Sequence, residues 1–163
     1  MIQEYSQLLE RAKNDLASTK KFLKLPLLQR VPGFYKIVHE IHAEVFSRVD
    51  CTKCGNCCRA LGPRVNETDI KRIAPLFRMK AVAFVKEYLR VDEDDDFVFK
   101  DMPCPFLGDD NICSVYDERP KACRDYPHTG DKNIQSKLHL LATNTTYCPA
   151  AVLIVDELKK RFG

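Results

Sequence analysis

The sequence predicts an α-rich α+β fold: an N-terminal helical hairpin, followed by a cysteine-bearing region with short helices, a short β-hairpin and a C-terminal helix. Three observations predict it. Apolar residues recur three and four apart over residues 2–23, 34–49 and 150–162, the period of a helix with one buried face. Strand composition is confined to short runs near Phe97 and between Cys104 and Tyr116. All eight cysteines lie beyond Asp50, which divides the chain into an N-terminal helical hairpin at 1–49 and a cysteine-cluster domain at 50–163.

In the first helix the stripe is Ile2, Tyr5, Leu9, Ala12, Leu16, Thr19 and Leu23, widened by Leu8 and Phe22. Pro26, Pro32 and Gly33 break the pattern, so residues 25–33 read as a turn or linker. A second helix starts near Phe34, with Phe34, Ile37, Val38, Ile41, Val45 and Val49 on one face. The two helices are expected to bury one seam. An apolar stripe is core by default, and this hairpin is also the surface through which a protein partner is expected to dock.

Asn66-Glu67-Thr68-Asp69 supplies cap-type residues for a short helix running to Pro75, and another helix follows over Ala81–Leu89. The acidic run Asp92–Asp96 lacks the alternating ligands and central glycine of a calcium loop, so it reads as a solvated loop. Phe97-Val98-Phe99 has strand composition. Cys104–Leu107 and Ile112–Tyr116 flank the turn Gly108–Asn111 as a β-hairpin. Asp117 is placed to cap a short helix through Arg124 that Pro127 closes. The C-terminal helix, Ala150–Phe162, turns Ala151, Ile154, Val155, Leu158 and Phe162 inward.

With 163 residues, 45% of them apolar, the chain can bury a core without covalent staples. A net charge of +3 against 30% charged residues is too even for a nucleic-acid binder, where a basic domain carries a much larger excess. Met1–Arg11 contains Glu4 and lacks a positively charged start followed by an apolar core, so no secretory signal is expected. No window approaches a membrane span, and a cytoplasmic location is the expectation. Reducing cytosol disfavours disulfides, and a bridge between the neighbours Cys57 and Cys58 would be strained, so the cysteines read as metal ligands.

The densest signal is Cys51-Thr52-Lys53-Cys54-Gly55-Asn56-Cys57-Cys58. Two-residue gaps let the backbone wrap a metal and aim thiolates inward, and Gly55 supplies a residue that tolerates positive φ. Cys51, Cys54 and Cys57 match the first three ligands of a bacterial ferredoxin, and Cys104-Pro105 and Cys148-Pro149 resemble its closing pair. This favours an iron–sulfur cluster of the 4Fe–4S type; structural zinc uses the same gaps and stands as the alternative. Cys113 and Cys123 complete the eight candidates, which suffice for two four-cysteine sites or for one site with spare thiols.

Lys53, Arg59, Arg64, Arg119, Lys121 and Arg124 crowd the cysteines and are expected to offset thiolate charge, with Arg119 and Arg124 orienting the surroundings of Cys123. His39 and His42, three apart on the second helix, are discounted as ligands because the thiols already suffice. No hydrolytic triad, phosphate-cradling glycine loop or dinucleotide fingerprint is present, so any catalysis would have to run through the metal or a thiolate.

Five pieces in order, Cys51–Cys58, Cys104–Leu107, Cys113–Tyr116, Arg119–Pro127 and Cys148-Pro149, make the chain resemble the YkgJ-type CxxCxxCC cysteine-cluster family over residues 50–150. The resemblance implies a zinc- or iron-chelating site built from all eight cysteines. It also implies an iron–sulfur protein of electron transfer or redox-dependent modification. A similar cluster occurs in a flagellin lysine methylase, but no methyltransferase or radical domain is recognisable here. The alternative is a structural zinc module that mediates protein or ribonucleoprotein interaction.

Overall fold

A computed structural model describes residues 1–163. The helices are α1 (Gln3–Asn14), α2 (Leu16–Leu23), α3 (Pro26–Arg30), α4 (Phe34–Phe46), α5 (Asn56–Ala60), α6 (Glu67–Ile73), α7 (Ala81–Tyr88), α8 (Lys121–Asp125), α9 (Leu138–Asn144) and α10 (Pro149–Phe162). Strands β1 (Leu89–Val91) and β2 (Phe97–Phe99) form one antiparallel ladder. The fold is therefore α+β and rich in helix. No helix is long and apolar enough to cross a membrane.

The chain forms two compact units, one made of residues 1–54 with 127–163 and the other of residues 55–126. This differs from the division into 1–49 and 50–163, because residues 127–163 fold with the N-terminal helices. The reason is what those helices bury. Phe34, Val38, Ile41 and Val45 of α4 share a core with Ala151, Ile154, Val155 and Leu158 of α10, while α2 packs on α9. The seam of the N-terminal helices is thus filled largely by chain-distant helices, and Phe34 also meets Phe162 at 6.3 Å between ring centroids.

The expected single helix over residues 2–23 is two. Asp15, at φ −89° and ψ 3°, interrupts it, as suits a residue whose side chain competes with helical hydrogen bonding. Within the turn read at 25–33, Pro26 opens the five-residue α3, where its missing N–H costs nothing. Gly33, at φ 69°, then starts α4.

In the second unit, Ile70, Ile73, Phe84, Leu89, Phe99, Phe106 and Val115 form the core, with Phe99 and Phe106 edge to face at 5.3 Å. The capping box expected at Asn66 is present: its side chain accepts from Asp69 N at 2.9 Å, and Asp69 Oδ2 accepts from Asn66 N at 3.2 Å. Phe97–Phe99 is a strand, as its composition predicts, and its partner in the ladder is the unexpected β1. Leu89 leaves α7 to pair with Phe99, because the acidic run folds back on itself, with Asp92 Oδ1 accepting from Asp94 N and Asp96 N at 3.0 Å each. The hairpin expected at residues 104–116 reduces to one bridge, Leu107 opposite Cys113.

Candidate metal centre

No disulfide joins any of the eight cysteines, and each unit gathers its own set. In the first unit Cys51 opens a 3-10 turn capped by Asp50, whose Oδ1 accepts from Thr52 N at 2.9 Å and from Thr52 Oγ1 at 2.7 Å. Tyr5 Oη accepts from Asp50 N at 3.1 Å, and Lys53 O from Ile2 N at 3.0 Å, so the start of α1 holds this turn. Cys54 is buried, its Sγ 3.8 Å from Met1 Sδ. Cys148 is the residue before α10, its amide bonded to Asn144 O at 2.9 Å. Burial pushes its thiol up to about 12, against the pull of the Ala151 and Ala150 N–H groups, and the charges of Cys51 and Cys54 push the same way as burial. These three sulfurs therefore share one electrostatic environment.

In the second unit Gly55, at φ 61°, is the turn the spacing predicted. That φ favours glycine, and a methyl there would also displace the Arg59 guanidinium and come within 2.8 Å of Asn111 Oδ1, the oxygen to which Arg59 donates. Gly55 launches α5, which carries Cys57 and Cys58 with their sulfurs 3.9 Å apart. The Cys104 amide bonds to Cys58 O at 2.8 Å. Cys113 is brought round by the Leu107 bridge and by Ser114 N bonding to Phe106 O at 2.8 Å.

Cys123 lies on α8, and the expected cap for this helix, Asp117, is not what holds it. Asp69 Oδ1 accepts from Lys121 N at 3.1 Å, while Arg72 bonds Asp69 Oδ1 at 2.8 Å, Arg119 O at 2.9 Å and Glu118 Oε2 at 2.8 Å. Asp117 lies too early, since the helix begins at Lys121 and Pro120 precedes it. The Asp69–Arg72 node was not foreseen. Its only trace in the sequence is the cap-type Asp69, whose second oxygen is used by a segment about fifty residues away.

The sulfurs of this unit act on one another. A hydrogen bond from Cys57 lowers the Cys58 thiol to about 7 against its burial, and Arg59 and Arg119 lower it further. Burial raises Cys104 to about 11, Cys123 to about 12, and Cys113 as well, and the Cys58 charge raises all three. Arg119 opposes this at Cys113 and Cys123. Arg119 is itself fixed: its guanidinium lies 3.8 Å over the Tyr116 ring and donates to Tyr116 O at 2.5 Å.

Of the other cations, Arg124 donates to Arg119 O at 2.7 Å, Arg64 pairs with Asp96 at 2.8 Å, and Lys121 pairs with Asp125. Lys53 Nζ lies 3.9 Å from Asp50. His42 Nδ1 is bonded to Thr129 Oγ1 at 2.7 Å, a structural contact.

This donor set fits a thiophilic metal, with soft sulfurs, cationic neighbours and, beside Cys104 and Cys148, backbone N–H groups aimed to favour thiolate. As they stand, no three His, Cys, Asp or Glu side chains could hold one ion, so binding requires the sulfurs to close on a common centre. Residues 50–149 match the family CxxCxxCC, described as a "putative zinc- or iron-chelating domain". The chain belongs to the CxxCxxCC family. No curated protein and no solved structure matches the chain. The residues of this CxxCxxCC domain include all eight cysteines.

Proposed function

We propose that this CxxCxxCC protein binds an iron–sulfur cluster through its cysteine thiolates and serves electron transfer or redox-dependent modification. The observation that carries the reading is that Cys58, Cys104, Cys113 and Cys123 act on one another's charge, with Arg119 offsetting that charge at Cys58, Cys113 and Cys123. When bound, such a cluster supplies one-electron transfer. The chain's own part is to assemble the thiolates and offset their charge. Cys58 is the most acidic thiol of the four, and metal binding would displace the protons of the others, whose burial favours the thiol. Arg119 and Arg59 reduce the cost of gathering like charges.

A second reading, a structural zinc module, has its own support. The sulfurs ride on two five-residue helices and a segment with a single strand bridge, which are too short to be rigid by themselves. A four-thiolate zinc would fix them, and the N-terminal helices would be the place for a protein partner. Anaerobic purification with elemental analysis, acid-labile sulfide assay and absorption spectroscopy tests the choice. Iron with sulfide and a visible band supports the first reading; stoichiometric zinc in colourless protein overturns it in favour of the second.

A further inference from the structure

We infer that the cysteines divide into two sets, and that Cys58, Cys104, Cys113 and Cys123, all within residues 55–126, are the ligands of one four-thiolate site whose sulfurs close on the metal as it binds. The inference rests on the proposal that the cysteines bind metal. Three backbone contacts within one compact unit tie the segments that bear these cysteines together. The Cys58 carbonyl holds the Cys104 amide at 2.8 Å. Cys113 stands opposite Leu107, three residues after Cys104. The segment leading into Cys123 is tied down at Arg119 O and Lys121 N by Arg72 and Asp69.

These contacts lie inside one compact unit, and Cys51, Cys54 and Cys148 fall in the other. Four thiolates are the number that a tetrahedral zinc or a cubane cluster takes. The unit contains a fifth cysteine, and the backbone link to Cys104 selects Cys58 over Cys57. The motif that reads as a single run of ligands, Cys51 to Cys58, therefore serves two sets, with its last residue assigned to the downstream cysteines.

Cobalt(II) is the probe, titrated anaerobically into the full chain, because the intensity of its sulfur-to-metal charge-transfer band scales with the number of thiolates bound. The triple variant Cys51→Ser/Cys54→Ser/Cys148→Ser is expected to keep one equivalent of cobalt at four-thiolate intensity. In that background Cys57→Ser is expected to leave the spectrum unchanged, and Cys58→Ser to lower its intensity and weaken binding at least about tenfold. A triple variant that folds by circular dichroism but shows no four-thiolate cobalt overturns the grouping, as does an exchange of the Cys57 and Cys58 effects. If the triple variant does not fold, Cys51→Ser alone, at the exposed thiol, must still keep one four-thiolate equivalent; losing it overturns the grouping. Wild-type protein that takes up no cobalt, iron or zinc would instead strike at metal binding itself.

Discussion

Asp69 and Lys121 are fifty-two residues apart, yet the Asp69 carboxylate accepts the Lys121 amide at 3.1 Å and so caps a helix to which it does not belong. Asp69 is 1% exposed and already closes the capping box of its own helix, α6. Two short helices, one carrying Cys123, therefore depend on a single buried carboxylate held by Arg72.

Replacing Asp69 should show this dependence. Asp69→Ala removes bonds to Asn66, Arg72 and Lys121 and leaves Arg72 short of a partner. It is expected to destabilise the protein by about 2–4 kcal/mol in urea denaturation. Asp69→Asn, which still accepts hydrogen bonds, should lose less. A change below about 0.5 kcal/mol for Asp69→Ala would mean that α8 is held by something else.

The two left-handed glycines give a paired test. Gly33→Ala meets open space and should cost only the backbone term, about 1 kcal/mol. Gly55→Ala adds a collision with Arg59 and Asn111, so it should cost about 2–3 kcal/mol and also weaken metal uptake. Equal losses in thermal unfolding for the two variants would contradict the Gly55 geometry.

Burial, and then the charge of His39, holds the His42 imidazole below its ordinary pKa of 6.5. In the pH range between the folded and unfolded pKa values the unfolded chain binds the extra proton, so stability is full above about 6.5 and falls as pH drops toward the folded value. Denaturation midpoints measured from pH 7.5 to 5 should follow that slope. His42→Gln, which can keep a bond to Thr129, should flatten it.

Removing metal should loosen one part of the chain selectively. On chelation, hydrogen exchange is expected to speed up at residues 56–60, 104–116 and 121–125, where helices are short and pairing is a single bridge. The core of α4 and α10 should stay protected. Uniform acceleration across the chain would show that metal governs global stability.

That core can be probed directly. Ile154 is fully buried in the cluster shared by α4 and α10, so Ile154→Ala is expected to cost about 3 kcal/mol, read as a lower denaturant midpoint at unchanged slope.

Much of this structure is legible in the residues. Helical stripes at Phe34–Val45 and Ala151–Leu158, the Asn66 cap and the positive φ at Gly55 are local consequences of local sequence, and each is present. What stayed hidden depends on distant partners. The run Leu138–Asn144 is only seven residues with Leu138, Leu141 and Ala142 inward, too few turns for a periodic signal, and it went unread as a helix. Leu89, the first residue of β1, reads as the end of a helix, because the pairing of this strand is decided by the self-bonded Asp92 turn rather than by its own composition. The spacing of Cys51–Cys58 announced a metal site but not that its cysteines fall in two units.

The interleaving of the first unit bears on how the chain is made. During synthesis residues 1–54 emerge with the apolar faces of α1, α2 and α4 exposed, and the helices that cover them, α9 and α10, come only after more than eighty further residues. Residues 55–126 are contiguous and can condense in that interval, whereas the N-terminal helices wait for a high-contact-order closure. The nascent protein thus passes through a stage with a formed middle and an unsatisfied beginning, and in that stage a chaperone would find its binding surface on α4.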